Sequence, residues 1–184
     1  MPYIQPNTNN IFGLMPVQGY PGSGQTNLYM VSSTEGTAIL IGDAIVRSSI
    51  GTLRAAVSAD SLHLIGAAAQ SLTTASFAQG TLNLLVYDDP IQHYVCTAAS
   101  SAVVTQLYIG QNIALVTTAT GVGIPSTLVG RSKMALSPTA TTSGGILRLV
   151  ALHPIDVWTS SDATSKKYIV KPAPATDFAS NVTT

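Results

Sequence analysis

Charge is scarce in this chain. Only 9% of its 184 residues are Asp, Glu, Lys or Arg, and eight of each sign cancel to zero. An ordinary soluble domain carries roughly 25%. Eight scattered basic residues leave no electrostatic footprint for a phosphate backbone, which excludes nucleic acid as a partner. Cysteine is limited to Cys96, so an intrachain disulfide framework and a multi-cysteine metal site are both ruled out. Set in the apolar run Tyr94-Val95-Cys96, that thiol reads as buried and inert. No stretch of 18 consecutive apolar residues exists, so no helix is expected to span a membrane. The N-terminus lacks the basic and apolar regions of a signal peptide, and the expectation is a chain made and assembled inside a cell.

What is present in place of charge is hydroxyl. The chain holds 19 Ser and 22 Thr, more than a fifth of its length, beside a 46% apolar fraction that is ample for a core. Such hydrophobicity at zero net charge is the opposite of the signature of disorder. Zero net charge also removes the mutual repulsion that keeps proteins apart in solution, so much of the surface is expected to be buried in a larger assembly.

The chain divides into three parts: an extended arm over residues 1–26, a β-domain over 27–171, and an extended tail over 172–184. The arm carries four of the ten prolines and no charge; the first charged residue is Glu35. Each proline biases its predecessor away from helix, yet Tyr3, Ile4, Phe12, Leu14, Met15 and Tyr20 make the arm apolar. An extended segment of this kind lies on something, either its own domain or a neighbouring molecule. From Asn27 onward, short runs rich in Val, Ile, Thr and Tyr alternate with Gly, Pro and Asp, the pattern of strands and turns. The runs are 27–33, 37–41, 44–48, 53–57, 62–65, 82–87, 91–96, 103–109, 113–117, 146–152 and 168–171. This spacing predicts an all-β fold, a compact barrel or sandwich. Asp88-Asp89-Pro90 reads as a tight hairpin turn, 66–79 as a loop or one short helix, and 118–138 as a long loop. No internal repeat emerges. Ile41-Gly42-Asp43-Ala44-Ile45 echoes Ile109-Gly110-Gln111-Asn112-Ile113, which two similar turns would explain.

Catalytic signatures are missing. No Gly-Lys pair supports a phosphate loop, Gly121-Val122-Gly123-Ile124-Pro125-Ser126 has a proline where a dinucleotide fingerprint needs none, and Gly130-Arg131-Ser132-Lys133-Met134 lacks the closing glycine of a hydrolase elbow. His63, His93 and His153 are scattered. Asp88, Asp89 and His93 form the best group of ligand-type side chains, but Asp-Asp-Pro forms turns in its own right because Asp accepts nearby backbone N–H bonds. Asp162 and Lys166-Lys167 beside Trp158 read as a solvated hairpin tip near a core tryptophan. The expectation is a non-enzyme that needs no cofactor or metal.

One set of motifs looks familiar in order and type. Leu84-Leu85-Val86-Tyr87-Asp88-Asp89-Pro90 and Ile91-Gln92-His93-Tyr94 are followed by Tyr108-Ile109-Gly110-Gln111-Asn112, Gly130 to Leu136 and Ile146 to Leu152, after an opening Pro2-Tyr3-Ile4-Gln5-Pro6-Asn7. Together these resemble the decoration, or cement, proteins of tailed bacteriophage heads. The resemblance implies a structural virion protein on the outer surface of the capsid, assembled in the host cytoplasm. It would be a homotrimer that binds the major capsid protein and bridges capsomers of the expanded head, with no active site. Within that reading the arm, through Tyr3, Phe12, Leu14, Met15 and Tyr20, is the expected partner-binding element. The alternative is a receptor- or carbohydrate-binding β-module of a fibre or head spike, with Trp158 and Tyr168 as a sugar platform.

Overall fold

Among the described residues the chain forms eleven strands and one short α-helix. The computed structural model describes residues 13–17, 24–31, 37–47, 51–57, 64–78, 80, 82–99, 104, 106–117, 132–141, 145–154 and 166–174. In chain order the strands are β1 (Met15–Pro16), β2 (Asn27–Met30), β3 (Ala44–Arg47), β4 (Leu53–Ala55), β5 (Leu64–Ala68), β6 (Asn83–Tyr87), β7 (Tyr94–Thr97), β8 (Asn112–Val116), β9 (Ala135–Thr141), β10 (Leu147–Leu152) and β11 (Lys167–Pro172). Helix α1 (Thr74–Ala78) follows β5. Thr73 caps it reciprocally: its Oγ1 accepts from the Ser76 N–H at 3.3 Å, and Ser76 Oγ accepts from the Thr73 N–H at 3.3 Å. The fold is all-β, in two antiparallel sheets ordered β2-β6-β5-β3-β4 and β1-β7-β11-β10-β8-β9.

Leaving β1 aside, the two sheets have one topology. Label the strands of each in chain order from first to fifth: both sheets then run first-fifth-fourth-second-third. Each sheet also curls until the residue after its first strand meets its third strand in a single parallel bridge, Val31 to Leu53 in one and Ala98 to Leu136 in the other. Neither is a closed barrel: among the described residues one bridge joins those strands in each sheet. The registers match as well. Val86 is flanked by Asn27 and Ala68, and Val170 by Tyr94 and Leu149. The chain is therefore two successive lobes of the same design, lobe 1 over β2 to β6 and lobe 2 over β7 to β11.

This corrects the reading that found no repeat. The echo between Ile41-Gly42-Asp43 and Ile109-Gly110-Gln111 marks the same turn in the two lobes. Gly42 and Gly110 have φ of 88° and 81°, a left-handed conformation that glycine adopts without steric cost. Their N–H groups donate to Ala68 and Leu149, at 2.9 and 2.8 Å, and those residues donate back to Asp43 and Gln111 at 2.9 and 3.1 Å.

Four other expectations change. Asp88-Asp89-Pro90 does not close a hairpin; β6 and β7 lie in different sheets, and the turn is the crossing between lobes. The run 103–109 yields no strand among its described residues but a 3-10 turn at Gln106–Tyr108, and the supposed loop 118–138 ends in β9. The arm also enters the fold earlier than Asn27. Gly13 donates to Met134 O at 3.0 Å in lobe 2, Leu14 to Gly42 O at 2.8 Å in lobe 1, and Val17 to His93 O at 2.9 Å. At Gly13, φ is +78° and a Cβ would lie 2.5 Å from both Gly42 O and Ser132 Cβ. Only glycine lets the arm pass this closely between the lobes.

The core follows the same plan. Val31, Ile45, Leu53, Ala68, Leu84 and Val86 fill lobe 1, together with Ile39, Leu72 and Phe77 of α1. The equivalent positions in lobe 2 are Ala98, Ile113, Leu136, Leu149, Tyr168 and Val170, but here the cluster extends to Ala44, Val46, Leu64 and Ala67 on the opposite face of lobe 1, and to Leu14 of the arm. Strand β3 is thus buried on both faces, which explains its unbroken Ala-Ile-Val run.

Candidate functional site

Two features stand apart from the core: the junction between the lobes and the outer edge of lobe 1. At the junction Asp88 leaves the end of β6 and holds the start of β2. Its carboxylate accepts two bonds from Asn27 Nδ2, at 3.0 and 2.9 Å, and one from the Tyr29 hydroxyl. That bond to Asp88, more than burial, raises the Tyr29 pKa, because ionising the phenol would remove the donated proton and set two anions side by side. Asp89 closes the turn: its Oδ1 accepts from the Ile91 N–H at 2.9 Å and its carbonyl from the Gln92 N–H at 2.9 Å. His93 Nδ1 lies 3.0 Å from Ile91 O. Asp88, Asp89 and His93 are therefore each engaged locally, and among the described residues no group of three or more His, Cys, Asp or Glu is placed to hold a metal ion. The Tyr94 hydroxyl donates to Tyr87 O at 2.7 Å across the crossing, and burial drives its pKa well above the ordinary 10.0.

Beside this turn lies an open groove of about 680 Å³, lined by Tyr29, Leu64, Asp88, Arg148, Lys171 and Pro172 among others. Two cations and a carboxylate already in use give it polarity, but among the described residues its lining contains no Ser, Cys or His to act as nucleophile or base. A smaller groove of about 280 Å³ is lined by Asp43 and Lys133. Burial raises the Asp43 carboxyl above its ordinary 3.8, against the lowering effect of the Ser132 hydroxyl and the Leu40 N–H, which donates at 2.8 Å. Cys96 is fully buried, and its thiol is pushed up to about 12, chiefly by desolvation.

The edge of lobe 1 is the feature that sequence reasoning missed. Strand β2 pairs with β6 on one side; on the other, among the described residues, the bridge is from Val31, just beyond its end, to Leu53 of β4. Leu28 and Met30, on its outer face, are 61% and 64% exposed. Ile91, Leu107 and Ile109 are also exposed large apolar residues, Leu107 the most at 81%. The alternation Asn27-Leu28-Tyr29-Met30 was visible beforehand, but which alternate positions faced outward was not.

Of the arm residues expected to bind a partner, Tyr3, Phe12 and Tyr20 lie outside the described residues. Leu14 is fully buried in the shared core, and Met15 is half-buried in β1, paired to Val95. Over 13–17, then, the arm lies on its own domain, and Leu14 has no surface to offer a partner. Trp158 and Asp162 also lie outside the described residues. Lys166 and Lys167 are buried rather than solvated, and Tyr168 is fully buried, so it forms no sugar platform.

No family model, curated protein or solved structure matches this chain.

Proposed function

We propose that this protein is a structural virion component that attaches to the outside of a phage capsid, binds the major capsid protein and bridges capsomers as a homotrimer. The observation that carries this reading is a nearly charge-free body that leaves large apolar side chains, Leu107 above all, in solvent. Each of these side chains is apolar area that a partner can remove from water. Burying it also requires little desolvation of charge. The order of motifs from Leu84 to Leu152 supports the same reading, and many copies on a repetitive shell would multiply modest contacts into avidity.

The test is binding of labelled protein to purified heads stripped of their outer proteins, with copies per head counted at saturation. A large number compatible with the shell's symmetry is expected, and Leu107→Lys should weaken binding at least tenfold. A handful of copies would move the protein to a vertex or tail, and no binding by a folded chain would overturn the proposal. To ask what the arm contributes, the chain should be cut after residue 12 and not after 26, because the longer cut removes Leu14 from the core.

A further inference from the structure

The groove between the lobes carries charge that the fold does not require. Arg148 on β10 and Lys171 on β11 are register partners in an antiparallel pair. Directly opposed residues project to the same face, and like charges placed so destabilise the ladder. Arg148 and Lys171 stand one step along from Leu149 and Val170, as Ala67 and Tyr87 stand from Ala68 and Val86 in lobe 1. The same two positions of the same topology are therefore filled without charge in lobe 1. Of only eight Lys and Arg residues in the chain, two are set against each other here.

Both cations line the open groove of about 680 Å³. That volume falls within the roughly 300–1,000 Å³ of ligand sites, which favour junctions between folded units. Tyr29 and Leu64 of lobe 1 and Pro172 of lobe 2 add apolar surface to its lining. Asp88, the carboxylate in that lining, already accepts three hydrogen bonds from Asn27 and Tyr29. Arg148 donates from Nε to Asn112 Oδ1 at a long 3.5 Å, which leaves most of the five guanidinium N–H donors for another acceptor. We propose that this groove binds an extended acidic segment of a partner protein, with one carboxylate received between Arg148 and Lys171. A carboxylate there replaces a repulsion with two attractions, and the arginine fork matches its two oxygens. Two cations are too few to track a phosphate backbone. The groove is open and does not enclose a small molecule on all sides, whereas a main chain can lie across it with apolar neighbours against Tyr29 and Leu64. The proposal rests on the groove's own charge and not on the proposed head location.

The probe is a blocked pentapeptide with a central Glu flanked by leucines, titrated into the full chain and followed by two-dimensional amide NMR. Saturable shifts around residues 148 and 171 are expected, with a Kd on the order of a millimolar. The peptide with Gln in place of Glu should bind roughly fivefold more weakly. Arg148→Gln and Lys171→Gln should each weaken the Glu peptide roughly threefold or more, while Lys133→Gln, in the smaller groove, leaves it unchanged. The thermal midpoints of the two groove variants should hold or rise, because each relieves the repulsion. No saturable shift up to about 10 mM, or equal binding of the Glu and Gln peptides, overturns the proposal. Midpoints lowered by more than about 5 °C in both groove variants also overturn it, because the cations would then serve the fold. Tighter binding of inorganic phosphate or of a sialylated sugar than of the Glu peptide overturns it in favour of a different ligand chemistry. Binding that appears only when the chain is cut after Pro174 does the same, since the chain's own tail, with Asp177, would then fill the groove.

Discussion

Lobe 1 and lobe 2 share strand order, closing bridge and register, and of their six matched core positions three keep the residue (Ile45 and Ile113, Leu53 and Leu136, Val86 and Val170) while three exchange it. Tyr29 faces Leu84 across β2 and β6, and the equivalent pair across β7 and β11 is Cys96 and Tyr168, so the aromatic ring has changed strands. Ala68 corresponds to Leu149 on the neighbouring strand. Interior volume can be redistributed among facing positions provided the whole still packs, and a five-stranded sheet of this order accommodates both solutions. The turn into the second strand was not free to vary in this way. Gly42 and Gly110 stand there in both lobes because positive φ is a demand on one residue that no neighbour can meet on its behalf. The lobes also differ in their surroundings. Lobe 2 shares its core with the arm and with the outer face of β3 and β5, whereas lobe 1 keeps a core of its own.

If the arm is what joins the lobes, Leu14→Ala should be the most damaging single change. Fully buried leucines lose about 2–5 kcal/mol on truncation. Urea unfolding should therefore record a loss in that range and a common transition for both lobes. Separate transitions would mean that the shared core does not couple them.

The equivalence of the two turns is sharpened by Gly42→Ala and Gly110→Ala. Each forces a Cβ into left-handed backbone at about 1–2 kcal/mol. Equal losses in the two variants, measured in the same denaturant, are expected. An effect at only one site would break the correspondence.

The smallest effect concerns Asp43, whose counterpart in lobe 2 is the uncharged Gln111. Its folded pKa is raised by burial, so folding favours the protonated carboxyl. The resulting stability is fully present below the unfolded pKa and is lost as pH rises through the raised folded value. Asp43→Asn keeps an acceptor for the Leu40 N–H but does not titrate. Relative to this variant, the wild type should lose stability as pH rises above the ordinary carboxyl value of 3.8, measured by unfolding midpoints at each pH. A parallel pH dependence in the two proteins would show that Asp43 is not the source.

Much of the fold was legible because period-two patterning is local. The runs at 44–48, 53–57, 82–87 and 146–152 became β3, β4, β6 and β10 with ends shifted by a residue or two, and the short helix in 66–79 appeared at Thr74–Ala78. Asp88-Asp89-Pro90 was read correctly as a turn and wrongly as a hairpin, because a turn's residues set its local geometry and say nothing about which sheet the next strand joins. The run at 103–109 has strand-like composition, yet Gln106–Tyr108 forms a 3-10 turn that leaves Leu107 in solvent, while its lobe 1 counterpart Ile39 is fully buried and bonded to Leu72. Apolar character alone did not distinguish the two. Lys166 and Lys167 were placed in solvent by their charge and are buried by their neighbours.

The candidate surfaces divide along the same line. Composition by itself determined that the chain is β-rich, nearly uncharged and poor in chemistry-bearing side chains, because those properties are sums over residues. Tertiary structure alone decided that two dissimilar halves repeat one topology, that Leu14 belongs to the core, and that Leu28 and Met30 of β2 face outward. Each of these depends on which strands meet across tens of residues. The alternation of side chains along a strand is a local property, but the identity of its neighbours is settled only when distant strands pair.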